Sequence, residues 1–389
     1  MAIGPRVLIG FAESLAAIES AWCLRDAGFE VVAFTRAGRR PALASAKGIR
    51  LVSLPEPEAD AAASVAALRQ LIEAEKPVAV LPLDDASLWL TAALAEVAPE
   101  GTAVIAGPVG AAARLALDKS QQVKLAEAAG FPVPRSDGET PSDSGPWMVK
   151  SALATVEREG RLTRPAGAIA RQATDVARIA AEIGGPVLVQ PLIDGVGEGV
   201  FGIACGGEVL ALSAHRRVRM MNPRGSGSSA CESIPVDPAL VEPVRRFLAE
   251  AGWHGIFMIE LLRDNDGRPW FMELNGRAWG SMALAVRRGL DYPQWAVRAA
   301  IDPQWRPVSP PEAPHIVCRH LGRETVHLLA VLRGARGGDV GRWPSRGATI
   351  AAMLRPGRKT RWYHWRRGEF RVFARDAWAT VAEQLGRRR

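Results

Sequence analysis

The stretch from Ile256 to Asn275 reads IFMIELLRDNDGRPWFMELN, two apolar-rich runs either side of Asn265-Asp266-Gly267-Arg268. Asn, Asp and Gly accept the backbone angles of a tight turn, so the stretch predicts a hairpin with a four-residue loop. Pairing Asp264 with Pro269 sets the register; counting outward puts Glu260 opposite Glu273 and Met258 opposite Asn275. Side chains two apart share a face, so Glu260, Glu273 and Asn275 project from one side. Carboxylates directly opposite repel by a few tenths to about 1 kcal/mol, and more among apolar neighbours. A hard dication relieves that repulsion, and Mg²⁺ takes oxygen ligands from one or two carboxylates plus substrate phosphates. The competing reading places both glutamates on the solvent face of an ordinary hairpin. Asn275, a third oxygen on the same face, favours the metal.

Upstream, strand and helix signals alternate. Arg6–Phe11 is a short apolar run, Ser14–Ala27 has helical spacing before Gly28, and Glu30–Thr35 is a second strand. A helix at Ser64–Ala74 and strands at Pro77–Pro82 and Thr102–Ala106 follow. This alternation predicts a parallel sheet covered by helices, with ligands beyond the carboxyl ends of its strands. Asp84 and Asp85 stand at that edge, as site candidates or as turn residues after Pro82. The first turn, Gly10-Phe11-Ala12-Glu13-Ser14, lacks GxGxxG, and no GxxxxGK occurs, so any nucleotide is held by another device. Asp118 caps a helix that Gly130 and Pro132 close. The Pro-, Ser- and Asp-rich stretch Pro132–Pro146 reads as an ordered linker or loop. From Trp147 the signals are mostly strands, with helices at Asp175–Ile183 and Pro238–Ala251. Pro307–Pro314 is a proline-rich linker before a remainder rich in Arg and Trp.

The 389 residues suffice for two or three domains, and 48% hydrophobic content excludes global disorder. The net charge of +8 comes from interspersed charges with the excess near the C-terminus. No nucleic-acid reader motif accompanies it, so nucleic acid is not expected as a partner. Cys23, Cys205, Cys231 and Cys318 have no metal-type spacing and read as reduced thiols. Neither a signal-peptide pattern nor an apolar run of the ~18–20 residues that span a bilayer is present, which predicts a cytoplasmic protein without a transmembrane segment. Arg355–Arg371 mixes basic residues with Trp362, Tyr363 and Trp365. It reads either as an anionic-surface or partner patch, or as a packed small domain whose Arg stems cover aromatic faces.

The hairpin, with Gly276-Arg277-Ala278-Trp279-Gly280-Ser281 after it, resembles the metal-binding core of the ATP-grasp superfamily. The carbamoyl-phosphate-synthase-like and carboxylate–amine ligase branch, where Glu-x-Asn-x-Arg closes the site, is the nearest match. The resemblance covers roughly residues 1–300. It implies an α/β and α+β architecture: a Rossmann-like pre-ATP-grasp domain (1–112), an ATP-grasp domain (113–305) with a lid over about 130–192, and a small basic C-terminal region (306–389).

By that resemblance Glu260, Glu273 and Asn275 hold two Mg²⁺ ions, replaceable by Mn²⁺, with Glu273 bridging. Lys119 and Lys150 match the two nucleotide-binding lysines. Val189-Gln190-Pro191-Leu192 matches the hinge strand that meets adenine, with Gln190 where most relatives carry Glu. Glu198 matches a ribose-contacting acid. Arg217 and Arg219, with the loop Asn222–Ser229, match the arginine and flexible loop over the acyl phosphate. Arg277 would stabilise charge on the transferring phosphoryl group. The chain departs from the pattern at Ser151–Thr155, which has no glycine where many relatives carry a glycine-rich phosphate loop. The implied reaction is phosphorylation of a carboxylate by ATP, then displacement of phosphate by an amine, an amino acid or peptide being among the candidates. Bicarbonate activation and a non-catalytic nucleotide-binding regulator stay open, and a homodimer is compatible with the sequence.

Overall fold

The computed structural model describes residues 4–97, 103–135, 145–223, 225–308, 310, 313–335, 343–355 and 357–386. The N-terminal alternation forms β1 (Arg6–Gly10), α1 (Ala17–Asp26), β2 (Glu30–Arg36), β3 (Ile49–Leu54), α2 (Ala61–Glu75), β4 (Ala79–Pro82), α3 (Asp85–Val97) and β5 (Val104–Ile105). The five strands are parallel in the order β3-β2-β1-β4-β5, the expected doubly wound arrangement. The expected fourth strand, Thr102–Ala106, is β5 here, and its first residue, Thr102, lies outside the described residues. Two elements were not anticipated. The strand β3 is half-exposed at the sheet edge and so carries no apolar run. Asp84 is not a plain turn residue: its carboxylate accepts the Ser87 N–H at 2.8 Å and caps α3.

Two helices, α4 (Gly110–Leu117) and α5 (Lys119–Ala129), lead out of this sheet. Asp118 caps α5 by accepting the Ser120 and Gln121 N–H groups at 2.9 and 3.1 Å. Gly130, at φ 98°, ends it. A second group of elements follows as β6 (Trp147–Ser151), β7 (Val156–Arg158), β8 (Arg161–Thr163), β9 (Ala168–Ala170), α6 (Ala173–Ile183) and β10 (Val187–Pro191). β10, β6 and β9 form an antiparallel sheet; β7 and β8 form a separate hairpin. The middle of the Pro132–Pro146 linker, residues 136–144, lies outside the described residues.

The third layer starts with β11 (Gly195–Cys205), β12 (Glu208–Asn222), β13 (Ser226–Ile234), α7 (Pro238–Glu250), β14 (Gly255–Asp264) and β15 (Pro269–Asn275). It continues with α8 (Met282–Val286), α9 (Tyr292–Ile301), β16 (Val317–Arg319), α10 (Leu321–Arg333), α11 (Arg346–Leu354), β17 (Thr360–Trp362) and α12 (Phe370–Gly386). Its sheet runs β15-β14-β11-β12-β13-β16-β17, so the C-terminal region supplies two strands of the sheet that carries the hairpin. One face of β14 and β15 packs Ile259, Leu261, Phe271 and Leu274 against α5 and α7, with Val244 and Phe247. Val372 of α12 joins the buried cluster of Val7 and Ile9. The four cysteines are unpaired, three of them buried. Among the described residues no helix is long and apolar enough to cross a membrane.

Candidate active site

The hairpin reaches the expected pairing by an unexpected route. Pro269 stands opposite Arg263, one residue off the register counted from the turn, and a bulge at Met272 restores it, leaving Glu260 opposite Glu273 and Met258 opposite Asn275. A bulge frees one residue from the ladder. Here the freed residue's carbonyl, Met272 O, accepts the Lys150 Nζ at 3.4 Å. β15 is clamped by a buried side chain from α5. Gln122 donates from Nε2 to Leu274 O at 3.0 Å, and its Oε1 accepts the Leu274 N–H at 2.8 Å. This amide behaves as one more strand residue beside Leu274, and fixes Glu273 and Asn275 on either side of it.

Basic groups gather on these oxygens. Lys119 Nζ stands 3.5 Å from Glu273, Asn275 Nδ2 donates to Glu273 at 3.1 Å, and Arg217 pairs with Glu260. Burial works to raise the Glu273 pKa, but Lys119, Lys150 and Asn275 outweigh it and hold the carboxyl below its usual range. Lys150 is itself pulled down by burial and by Lys119, against the opposing charges of Glu273 and Glu260. Arg277 donates to Asn275 Oδ1 at 2.7 Å and to Asp85 Oδ1 at 2.9 Å, while Arg164, just after β8, reaches Asp85 at 3.2 Å. The face therefore carries carboxylate and amide oxygens, each met by a cationic or amide donor. That donor set suits a hard dication, which takes oxygen ligands of this kind.

Lys119, Lys150, Glu260, Glu273, Asn275, Arg217 and Arg277 thus form one cluster. Other candidates lie elsewhere. Glu198 is opposite Leu261, on the face turned away from Glu260, and pairs with Arg263 at 2.8 Å. Arg219 joins Glu324, a buried partner that also holds Arg319 at 2.6 Å. The segment Asn222–Ser229, expected as a flexible loop, is mostly the end of a hairpin: Asn222 pairs with Ser226 and Met220 with Ser228. Arg224 within it lies outside the described residues. Just after β10, Leu192 donates its N–H to Pro146 O at 3.0 Å, extending the β10–β6 ladder. Gln190 donates to Pro134 O at 3.3 Å and keeps a buried Oε1 without a partner among the described residues.

The glycine-poor segment after Lys150 is not an open loop. Lys119 N donates to Ala152 O at 2.7 Å and Ala154 N to Leu117 O at 2.8 Å, stitching the segment to the start of α5. The β7–β8 hairpin then docks on the N-terminal sheet layer, with Leu162 N bonded to Pro57 O at 2.8 Å and Leu162 buried beside Leu54 and Leu68. Gln122 and Arg164 were missed as site residues, whereas Asp85 was a candidate with Asp84. Only the Asp85 position at the sheet edge gave a signal.

Residues 186–320 match the family model described as ATP-grasp in the biosynthetic pathway with Ter operon. Among solved structures the chain is similar to Campylobacter jejuni biotin carboxylase, with 15% identity, 80% of this chain and 74% of that one covered, and a TM-score of 0.61. It is similar to the L-amino acid ligase of Bacillus licheniformis at 16% identity, with 78% and 75% covered and a TM-score of 0.59. It is also similar to Staphylococcus aureus N5-carboxyaminoimidazole synthetase at 14% identity, with 91% and 97% covered and a TM-score of 0.61. No curated protein sequence matches. These likenesses are of fold, and the family model spans residues 186–320 of the 389.

Proposed function

We propose that this protein is an ATP- and Mg²⁺-dependent carboxylate–amine ligase that works through an acyl phosphate. The observation that carries the reading is the gathering of Glu260, Glu273 and Asn275 on one face, with Lys119 and Lys150 reaching Glu273 and Met272 from two other elements. In this reading residues 1–112, 113–305 and 306–389 are the pre-ATP-grasp, ATP-grasp and C-terminal units.

Glu260, Glu273 and Asn275 would hold Mg²⁺, which when bound draws charge from the ATP phosphates. Lys119 and Lys150 bind phosphate oxygens, and the lowered pKa of Lys150 returns toward its usual value as that anion arrives. Arg277, anchored by Asp85, is positioned to stabilise charge on the phosphoryl group in transfer. Gln190 Oε1, buried and unpartnered, supplies an acceptor at the hinge where an adenine amine would lie. No protein nucleophile is required, because orientation and charge neutralisation supply most of the catalysis.

The test is coupled ADP release with pooled carboxylates and amines, on wild type and Glu273→Gln. Wild type should turn over with an acid and an amine, and the variant should lose at least ~10²-fold in kcat. It should also lose the thermal stabilisation conferred by Mg²⁺–ATP. Equal stabilisation of both proteins refutes the assignment. Turnover that requires bicarbonate and no other acid would replace the amide-forming reading with carboxyphosphate formation.

A further inference from the structure

A cavity of about 130 Å³ adjoins the carboxylate face, lined among others by His215, Arg217, Ser228, Met258, Ser281 and Arg323. Met258 lies opposite Asn275 and Arg217 is paired with Glu260, which ties one wall to the site already described. Ser228 and Arg323 form another wall, where Arg323 donates from Nη1 to Ser228 O at 3.1 Å.

The two arginines differ in one respect. Arg217 has its carboxylate in Glu260, whereas no carboxylate among the described residues forms an ion pair with Arg323. Burial lowers the Arg323 pKa and outweighs the opposing pull of Asp376 and Glu383, neither of which forms an ion pair with it. Such groups are normally paired, because desolvating a lone charge is expensive. The backbone is cut back for both guanidinium groups. A Cβ on Gly227, which sits at φ 41°, would fall 2.9 Å from Arg323 Nη1, and one on Gly197 would fall 2.6 Å from Arg217 Cδ. His215 is kept neutral by burial, with its Nε2 3.4 Å from Ser281 Oγ, and its buried Nδ1 has no partner among the described residues. The size is informative as well: a cavity of ~150 Å³ holds benzene, so this slightly smaller one takes a group of about benzene's bulk.

Resting on the ligase reading, we propose that this cavity seats the acyl substrate and that Arg323 binds a second anionic group on it, so that the substrate is a small diacid. One carboxylate faces Arg217 and Glu260. Its oxygen takes the γ-phosphoryl group of ATP, the bond to the β-phosphate oxygen breaks, and ADP leaves. The other carboxylate stays ionised at Arg323 and takes no part in bond making. A monoacid of the same length leaves the guanidinium unpaired. Arg323 also borders a larger cavity of about 500 Å³ lined among others by Glu13, Ser14, Asp376 and Glu383.

The experiment is calorimetric titration of the full chain with malonate and succinate against propionate and butyrate, in wild type, Arg323→Met and Arg323→Lys. Wild type should bind the diacids at least about tenfold tighter than the length-matched monoacids. Arg323→Met should erase that preference and Arg323→Lys should keep part of it, with unchanged circular dichroism. Wild-type affinities that do not distinguish diacid from monoacid overturn the proposal, as does an intact preference in Arg323→Met. Thermal stabilisation by Mg²⁺–ATP, measured in parallel, should be equal in wild type and Arg323→Met. Loss of that stabilisation in wild type with the diacid preference intact would sink the ligase reading and leave Arg323 as the anion site.

Discussion

Glu324 and Glu273 each meet basic side chains, under different conditions. The Glu324 side chain is 1% exposed; it accepts from Arg319 Nη2 at 2.6 Å and from Ser229 Oγ at 2.6 Å, and also pairs with Arg219. These partners come from β16, β13 and β12, so the carboxylate ties three strands to α10. The Glu273 side chain is 24% exposed, its ammonium partner stands off at 3.5 Å, and its shortest bond is a 3.1 Å amide contact. One carboxylate is sealed with fixed donors; the other keeps coordinating capacity and charge for something that arrives from outside. Ion pairs alone do not separate a structural tie from a binding site. Exposure and the quality of the existing bonds do.

The largest expected effect comes from the sealed member. Glu324→Ala strips a buried pairing from two arginines and should lower stability by about 3–5 kcal/mol in urea unfolding. A loss under about 1 kcal/mol would erase the contrast. Gln122→Ala comes next, because it leaves Leu274 N–H and C=O without their side-chain partner. It should cost about 1–3 kcal/mol, and the stabilisation by Mg²⁺–ATP should shrink with it. Unchanged Mg²⁺–ATP stabilisation would show that the clamp does not position Glu273.

A third sealed group sharpens the contrast through pH. Asp376 lies 2.9 Å from both His364 Nδ1 and His320 Nε2. Burial works to raise the Asp376 pKa, but the two histidines hold it well below the usual carboxylate range. Burial opposes the charge on His364, and Asp376 outweighs it and raises that pKa. A raised His contributes stability that is full below its unfolded value of ~6.5 and is lost as pH rises through the folded one; a depressed Asp contributes above ~3.9. The stability gap between wild type and Asp376→Asn should therefore be widest near pH 4.5–6 and narrow above about pH 7. His320, pulled down by burial, acts in the opposite sense in both proteins. A gap that widens above pH 7 contradicts the assignment. The smallest effect on stability belongs to the open member: Glu273→Gln should change it by no more than about 0.5 kcal/mol without ligand. A loss of several kcal/mol would make Glu273 a structural residue like Glu324.

Much of the cluster was legible because it is local. Glu260, Glu273 and Asn275 share one hairpin, and the alternation of side chains along a strand puts them on one face. The count from the turn still held an error, since Arg263 rather than Asp264 faces Pro269, and the Met272 bulge cancels it. Glu198 stands one residue of register away from that face: its neighbour Gly199 is the one opposite Glu260. A one-residue shift moves a side chain through the sheet, and no local pattern reports which strand will lie alongside.

The sequence by itself determined the elements and their periodic faces: the parallel N-terminal sheet, the Asp118-capped helix with Lys119 at its start, and the paired carboxylates of the hairpin. Short-range backbone preferences and burial patterns suffice for these. Only the tertiary structure decided which charges meet. Arg277 reaches Asp85 across 192 positions of sequence, Gln122 bonds Leu274 across 152, and the Asn222–Ser229 segment becomes strand because β12 and β13 pair there. It also decided that Arg323, one basic residue among 49 Lys and Arg in the chain, stands beside the site with no ion-pair partner among the described residues. A charge's role is set by the dielectric and the partners around it, and those arise only when distant segments close together.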